Sequence, residues 1–339
     1  MSKNELGQFY TTNYKYILQN MSIPKNVKFI IEPFAGNFDL LGFIAHKSKF
    51  NIELYDIEPK GENIVKRDSL KEPPCYDNKF VLTNTPYLAR NKNKNKSLYD
   101  KYKCNDLYKC FLINLIESNC IGGIIIIPVN FISSIRKADI ELRKKFLDKY
   151  HISIINIFEE RVFDDTSYAV CSIKFEKREA DEKISIYVYP SGKELRVVLN
   201  ESNNYTIGGE IYNLPNNPDY IIERATKNTK EGYITNILLK CIDDNVDNQL
   251  GLKIVAEKDK YIDNTPNLSA RSYATLVINK KLSISQQKDL VEKFNTYILE
   301  KRKEYNSLFL TNYRESNTIA RKRISFDLAF KICNYLLDL

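Results

Sequence analysis

The stretch Phe80-Val81-Leu82-Thr83-Asn84-Thr85-Pro86-Tyr87 decides how this chain is read. Phe80–Leu82 is a short apolar run that ends a buried strand. Pro86 cannot donate to a sheet ladder, so it marks where that strand stops. Asn84 therefore stands at the carboxyl edge of a strand, with Tyr87 three residues on. In open α/β sheets, ligands bind in the crevice outside that edge. The edge offers an amide oxygen, main-chain carbonyls and a flat ring, without a nucleophile or a metal ligand.

Such a set suits the exocyclic amino group of a flat base such as adenine. The lone pair of that nitrogen is delocalised into the ring. Two acceptors, the Asn84 oxygen and a neighbouring main-chain carbonyl, can take its two hydrogens and favour a localised lone pair. Acceptors fixed where positive charge develops act by electrostatic preorganisation, and Tyr87 can stack on the base. Asn and Pro are also ordinary turn formers, so the tetrapeptide alone reads first as a strand and a turn. What precedes it changes that balance.

Val27–Ile31 is a second apolar run, and it enters Glu32-Pro33-Phe34-Ala35-Gly36-Asn37-Phe38-Asp39-Leu40-Leu41, where a helix is expected to begin. Strand, Gly-bearing turn and helix open a doubly wound fold, with free N–H groups at the turn. A single Gly fits a pyrophosphate poorly, and Glu32 repels phosphate but suits an ammonium group. Ile52–Asp56 reads as the next strand, with Asp56 about 20 residues beyond the turn, the spacing of a ribose-binding acid. Ile64–Leu70 reads as a third short strand, with Asp68 able to accept from an adenine amino group. Each acid alone is an ordinary turn residue; all of them follow apolar runs and precede Asn84. Upstream, Gly7-Gln8-Phe9-Tyr10-Thr11-Thr12 is either a surface arm with a helix cap or a lid whose hydroxyls and backbone touch a small ligand.

Composition bounds the function. At 339 residues, there is room for two domains. The net charge of +8, from 51 basic and 43 acidic residues, permits a polyanion partner without requiring one. Seven cysteines without a C-x-x-C pair argue against a disulfide framework or zinc site and for a reducing compartment. Two histidines leave little scope for a His-based triad or metal cluster, and no metal is expected. No apolar run approaches membrane length, and the polar N-terminus is not a signal peptide. The expectation is a cytoplasmic protein.

These motifs, in this order, resemble the S-adenosylmethionine-dependent DNA adenine-N6 methyltransferases of restriction–modification systems, in the subgroup whose target-recognition region is C-terminal. Gly7–Thr12 is similar to that family's N-terminal cofactor motif, Glu32–Leu41 to its cofactor loop, and Asn84–Tyr87 to its catalytic Asn-Pro-Pro-Tyr. Asp56 and Asp68 fall where its ribose and adenine contacts fall. The resemblance covers roughly the first half of the chain. It implies catalytic roles for Asn84, Thr85, Pro86 and Tyr87. It implies cofactor contacts from Tyr10, Thr11, Thr12, Glu32, Pro33, Phe34, Ala35, Gly36, Asp39, Asp56, Asp68 and Asn84. Two positions depart from the pattern. Thr85 replaces a Pro whose contribution is a main-chain carbonyl; it restores an N–H and some flexibility, which suggests a slower enzyme. Phe38 stands where a second Gly is common, and either crowds the methionine end of the cofactor or packs on the sheet.

Further on, Arg90–Lys103 alternates Lys and Asn. It is a solvated loop or a mobile basic segment in which Arg90 and Lys92 grip phosphates. Leu107–Glu117 reads as a helix, Gly122–Pro128 as a central buried strand, Asp139–Lys149 as a charged helix and Ile152–Phe158 as a strand. Ser167–Phe175 alternates as one arm of a hairpin. Phe163 is the candidate for the aromatic that, in the resembled family, helps hold a flipped base; a plain core residue is the other reading. Lys177–Lys183 looks like a linker, Ile184–Tyr189 like a strand, and Tyr233–Ile242 like a helix. Ser283–Tyr305 is an amphipathic helix. Leu310–Arg323 gathers Asn312, Tyr313, Arg314, Arg321, Lys322 and Arg323 ahead of a helix expected to bury Phe326, Phe330, Cys333 and Leu337. Arg can read guanine and Asn adenine in the major groove, so these six are DNA-contact candidates.

The expected architecture is a doubly wound, mostly parallel α/β catalytic domain over 1–178 and a C-terminal α+β DNA-recognition region over 179–339. The expected reaction is methyl transfer from S-adenosylmethionine to adenine N6 of a flipped base in duplex DNA. A cognate restriction endonuclease acting at the same site is an expected partner, and a monomer or weak dimer the expected state. Cytosine-N4 methylation, methylation of a protein or RNA amide or amine, and a non-catalytic DNA-binding subunit are the alternatives.

Overall fold

The apolar runs become the middle of a nine-stranded sheet, in a computed structural model that describes residues 7, 9, 11–163, 168–177, 183–245, 247–264, 272–315 and 320–337, the side chains of 311–315, 320 and 321 excepted. The strands are β1 (Phe29–Glu32), β2 (Asn51–Asp56), β3 (Val65–Lys66), β4 (Phe80–Asn84), β5 (Gly122–Pro128), β6 (Tyr150–Phe158), β7 (Val170–Lys177), β8 (Lys183–Tyr189) and β9 (Lys193–Val198). Their order is β3-β2-β1-β4-β5-β7-β6-β8-β9. The first five in that order are parallel. β7 runs antiparallel between β5 and β6, as its alternating sequence predicts. β4 and β5 are buried at every position, the signature of a central strand covered on both faces.

The direction of winding reverses between β1 and β4. Chain order moves outward from β1 to β2 and β3, then returns to place β4 on the other side. The carboxyl ends of β1 and β4 therefore flank the crevice where doubly wound sheets bind ligands.

Helical packing of this sheet is uneven. Helix α1 (Leu107–Glu117) joins β4 to β5, and α2 (Lys137–Lys149) joins β5 to β6, both near their expected positions. The helix expected after Glu32–Leu41 is instead one short 3₁₀ stretch, Asp39–Phe43. Phe38 before it and His46 after it both have positive φ, which stops an α-helix at each end. The third strand is likewise shorter than Ile64–Leu70 and pairs only through Val65 and Lys66.

The chain divides into two compact units, 1–199 and 200–339. The sequence boundary at 178 falls earlier because β8 and β9 extend the first sheet: β8 pairs in parallel with β6, and β9 closes a hairpin on β8. Of the expected linker, residues 178–182 lie outside the described residues.

The second unit is α+β. Strands β10 (Ile222–Arg224), β11 (Tyr233–Lys240), β12 (Gly251–Ile254) and β13 (Tyr273–Ile278) form an antiparallel sheet in the order β10-β13-β11-β12. Tyr233–Ile242 is thus a strand, not the helix expected from its sequence: its β-branched residues pair with β12 and β13. Helix α3 (Ile284–Tyr305) starts at Ser283, whose hydroxyl accepts from Gln286 N while the Gln286 side chain accepts from Ser283 N, a capping box. It buries Leu290, Phe294 and Ile298. Helix α4 (Phe326–Leu336) follows a hairpin of β14 (Thr311–Glu315) and β15 (Ala320–Arg323). It buries Leu328, Ile332, Cys333 and Leu336, with Phe326 and Phe330 only partly covered, so its inward stripe is rotated from the one expected. No helix among the described residues is long and apolar enough to cross a membrane.

Candidate active site

The acid at the end of β1 is buried. Glu32 is 2% exposed, and its Oε2 has no hydrogen-bond partner. Burial, followed by the nearby carboxylates of Asp39 and Asp56, pushes its carboxyl well above the ordinary value. A buried, unsatisfied acid is costly and calls for a cation. The ammonium group of an amino-acid ligand meets that need, so this residue fits the methionine end of S-adenosylmethionine.

Asp56 at the end of β2 organises the neighbouring loop. Its Oδ2 accepts from Gly36 N at 2.8 Å and its Oδ1 from Glu58 N at 2.8 Å. Gly36 has φ +51°, a conformation that a side chain would disfavour. Ala35 N donates to Tyr55 O at 2.8 Å, so the loop is tied to β2 twice. Pro33 and Ala35 are buried, and Phe34 sets its ring edge-on to Phe111 at 5.4 Å. The Phe38 ring packs on Ala35, Leu54 and Ile64 and covers Gly61, as in the second of its two readings. Asp68 serves its own turn: Oδ1 accepts from Leu70 N and Lys71 N at 3.2 and 3.1 Å.

At the end of β4, the site is self-contained. Asn84 is 8% exposed, and its Nδ2 donates to Phe9 O at 2.7 Å and to Thr11 Oγ1 at 2.9 Å. Its Oδ1 accepts from the Tyr87 hydroxyl at 2.6 Å. Tyr87 N donates to Gly7 O at 3.1 Å, so Gly7 and Thr11 clasp the Asn84–Tyr87 turn from either side of Phe9. Thr11 is buried and Thr12 exposed; Tyr10 lies outside the described residues. The segment is thus packed on Asn84 and Tyr87 and does not lie free as a surface arm.

Thr85 tightens the turn. Its N–H and its hydroxyl both donate to Ile126 O on β5, at 3.3 and 3.2 Å. The N–H that a proline would lack is therefore a tether, which counters the flexibility expected from this departure. Beyond Tyr87, Leu88 N donates to Asp106 Oδ1 at 3.1 Å and Leu88 O accepts from the Tyr99 hydroxyl at 2.9 Å. Burial pushes the Asp106 carboxyl up to about 6. Asp106 carries no mark in the sequence, because a lone acid before a helix reads as a cap.

Tyr87 is wholly buried and does not present an open face. The Phe9 ring stacks on it, with centroids 4.9 Å apart and 12° between planes. Phe163 is buried beside Phe9 at 6.5 Å, and Tyr168 lies 6.5 Å from Phe9 and 5.8 Å from Tyr87. Phe9 and Tyr168 are the residues the sequence reading missed. The only signal was an aromatic between Gly7 and Thr11, and one before the alternating run of β7.

The basic candidates are dispersed. Arg90 pairs with Asp100 at 2.7 Å, and Lys92 lies over the Tyr168 ring at 5.7 Å. Their segment is not a bare loop: it holds a helical turn over Ser97–Tyr102 and buries Tyr99. In the second unit, Arg323 is 7% exposed and its backbone bridges Ile242, so its guanidinium is not presented at a surface. Lys322 is half-buried, and the side chains of Asn312, Tyr313, Arg314 and Arg321 lie outside the described residues. No cluster of metal-ligating side chains occurs among the described residues.

Residues 44–209 match the family model described as N-6 DNA Methylase. Comparison with curated protein sequences gives no match. Among solved structures, the chain resembles a modification subunit attributed to a type I restriction enzyme of Vibrio vulnificus YJ016 (14% identity, TM-score 0.42, covering 55% of this chain and 48% of that one). It also resembles the methyltransferase subunit of a type I restriction-modification system from Streptococcus thermophilus (16% identity, TM-score 0.38, covering 60% and 52%). A third is the M protein of the type I restriction enzyme EcoKI (13% identity, TM-score 0.34, covering 62% and 53%). The chain spans about half the length of these proteins. Residues 44–209, which carry Asp56, Asp68, Asn84 and Tyr87, are thus similar to the N-6 DNA methylase family.

Proposed function

We propose that this protein transfers a methyl group from S-adenosylmethionine to the N6 amino group of adenine in duplex DNA. The observation that carries the reading is the pairing of Glu32 and Asn84 at the carboxyl ends of adjacent strands, one acid awaiting a cation and one amide able to orient an amine. When bound, the cofactor supplies an electrophilic methyl group. Glu32 binds its ammonium end, and the loop through Gly36, held by Asp56, forms the wall beside it. Asp56 retains acceptor lone pairs for a ribose hydroxyl, since each carboxylate oxygen can accept more than one hydrogen bond.

The target base leaves the duplex at a cost of a few kcal/mol. Asn84 Oδ1 and the main-chain carbonyl of Thr85 or Pro86 accept the two hydrogens of the amine. They stabilise the charge that develops on nitrogen by about 1.5–3 kcal/mol each. Tyr87 and Phe163 hold the ring. Displacement is direct and needs no covalent bond to the protein. In this reading, the first unit is catalytic and the second recognises DNA, with Lys322 on β15 as a candidate. Arg90 and Lys92 add phosphate contacts once freed from Asp100 and Tyr168. The chain works as a monomer or weak dimer within a reducing compartment, and a nuclease of the same specificity is its natural counterpart.

The test is transfer of labelled methyl from S-adenosylmethionine to plasmid DNA, followed by separation of the nucleosides. N6-methyladenine is the expected product. N4-methylcytosine would move the target, and absence of transfer with DNA binding intact would point to a non-catalytic subunit.

A further inference from the structure

The Asn84 amide is the group meant to meet an incoming base, yet every ring around it is already engaged. Phe9 lies flat on Tyr87, with Phe163 and Tyr168 closing two further sides. A stacked six-membered ring at 4.9 Å is offset stacking of the kind a base would make. We infer that Tyr87, Phe163 and Tyr168 form the target-base slot, that Tyr168 is its third wall, and that the Phe9 ring is a resident occupant which the extruded base must displace. The inference rests on the methyltransferase reading given above and deepens it.

The anchors of this segment make the exchange a side-chain event. Asn84 Nδ2 is held by the main-chain oxygen of Phe9 and by the Thr11 hydroxyl, and Gly7 O holds Tyr87 N. None of these bonds uses the Phe9 ring. Gly7, at φ +68°, allows the close approach: a Cβ there would sit 2.9 Å from Tyr87 O. Rotation of Phe9 about χ1 vacates the slot while the backbone clasp keeps the Asn84 amide oriented, with Oδ1 turned toward the slot side and Tyr87. An intramolecular ring competes with no loss of translational freedom. A base that only stacks gains little by replacing it, whereas an adenine that also donates two hydrogen bonds wins. The occupant thus acts as a selectivity filter as well as a cover for Tyr87.

The apparent affinity for the flipped base is reduced by the fraction of molecules with the slot open. Stacking worth about 0.5–1.5 kcal/mol corresponds to roughly two- to tenfold. Phe9→Ala is therefore expected to lower KM for plasmid DNA by about two- to tenfold, with affinity for S-adenosylmethionine unchanged. Tyr168→Ala is expected to raise KM for DNA by about tenfold, again without change in cofactor affinity. The chain contains no tryptophan, so Phe9→Trp introduces a single reporter. Its emission should be shielded from iodide in the free protein and become accessible in the complex with plasmid DNA and S-adenosylhomocysteine. Shielding that persists in that complex, exposure already in the free protein, a raised KM in Phe9→Ala, or an unchanged KM in Tyr168→Ala would each overturn the inference. Failure of the parent reading is distinct, because there the unsubstituted protein itself transfers no methyl group to DNA.

Discussion

The two halves of the crevice are prepared in opposite ways. On the β1 side, Glu32 is buried with an oxygen that lacks any partner. On the β4 side, Asn84 has both amide hydrogens and its oxygen engaged by the chain itself. The first arrangement stores an unfavourable state that a cation relieves, so it favours binding. The second is satisfied before any ligand arrives, so a ligand must compete. A small cofactor diffuses in ready to bind; a base arrives only after extrusion from a duplex. An open, apolar base slot without DNA would expose Tyr87 to water, and the self-contained arrangement avoids that.

The largest effect that would break this comparison is expected from Asn84→Ala. Loss of one preorganised group of this kind costs about 100- to 1000-fold in turnover, read at saturating S-adenosylmethionine. Turnover near the original would remove Asn84 from the mechanism.

Glu32→Gln tests the other half. Cofactor affinity should fall by about ten- to a hundredfold, the worth of one charge-assisted bond at about 1.5–3 kcal/mol. The pH dependence has a definite sign. An acid whose folded pKa is raised contributes stability fully below its unfolded pKa and loses it as pH rises through the folded value. The ligand-free protein should therefore lose stability as pH rises from the ordinary carboxylate range, while affinity for the ammonium-bearing cofactor increases because Glu32 ionises more readily. Burial is the main cause, with Asp39 and Asp56 adding to it. In Glu32→Gln, both slopes should flatten, as read by thermal melts and calorimetry across pH 5–8 (an approximate working range,).

Thr85→Pro sharpens the contrast at the turn. It restores the residue usual in the resembled family but removes two donors from Ile126 O. An under-paired buried carbonyl costs about 1–3 kcal/mol, so the melting temperature should fall by several degrees and turnover should not rise. A faster or more stable Thr85→Pro protein would mean that the tether is dispensable.

The smallest effect is expected from Phe38→Gly. Relief of the left-handed backbone at φ 65° gains about 1–2 kcal/mol. Loss of a half-buried ring from its contacts with Ala35, Leu54 and Ile64 costs a similar amount. The urea midpoint should therefore move little. Tighter cofactor binding in this variant would show that Phe38 crowds the site after all.

Legibility in the sequence followed the range of the forces involved. Phe80–Leu82 and Gly122–Pro128 are unbroken apolar runs, and burial on both faces of a sheet demands such runs, so they were readable as central strands. Leu107–Glu117 and Ser283–Tyr305 carry helical periodicity and, in the second, a capping box within four residues, so they were readable as helices. Tyr233–Ile242 was not: its apolar residues suit either period, and pairing with β12 and β13 decides the matter. The stretch after Glu32 looked like a helix start because propensity does not register the positive φ that Phe38 and His46 adopt against their neighbours.

The sequence by itself determined which groups are available: an acid after each early strand, and an amide and a ring after β4. Those follow from residue identity and spacing along the chain. Tertiary structure alone decided which of them wait and which are already occupied. Glu32 Oε2 lacks a partner because the fold buries it beside Asp39 and Asp56. Asn84 has two of its three partners because a segment more than 70 residues away folds back onto it. Satisfaction of a polar group depends on what lies within about 3 Å in space, and separation along the chain carries almost no information about that distance.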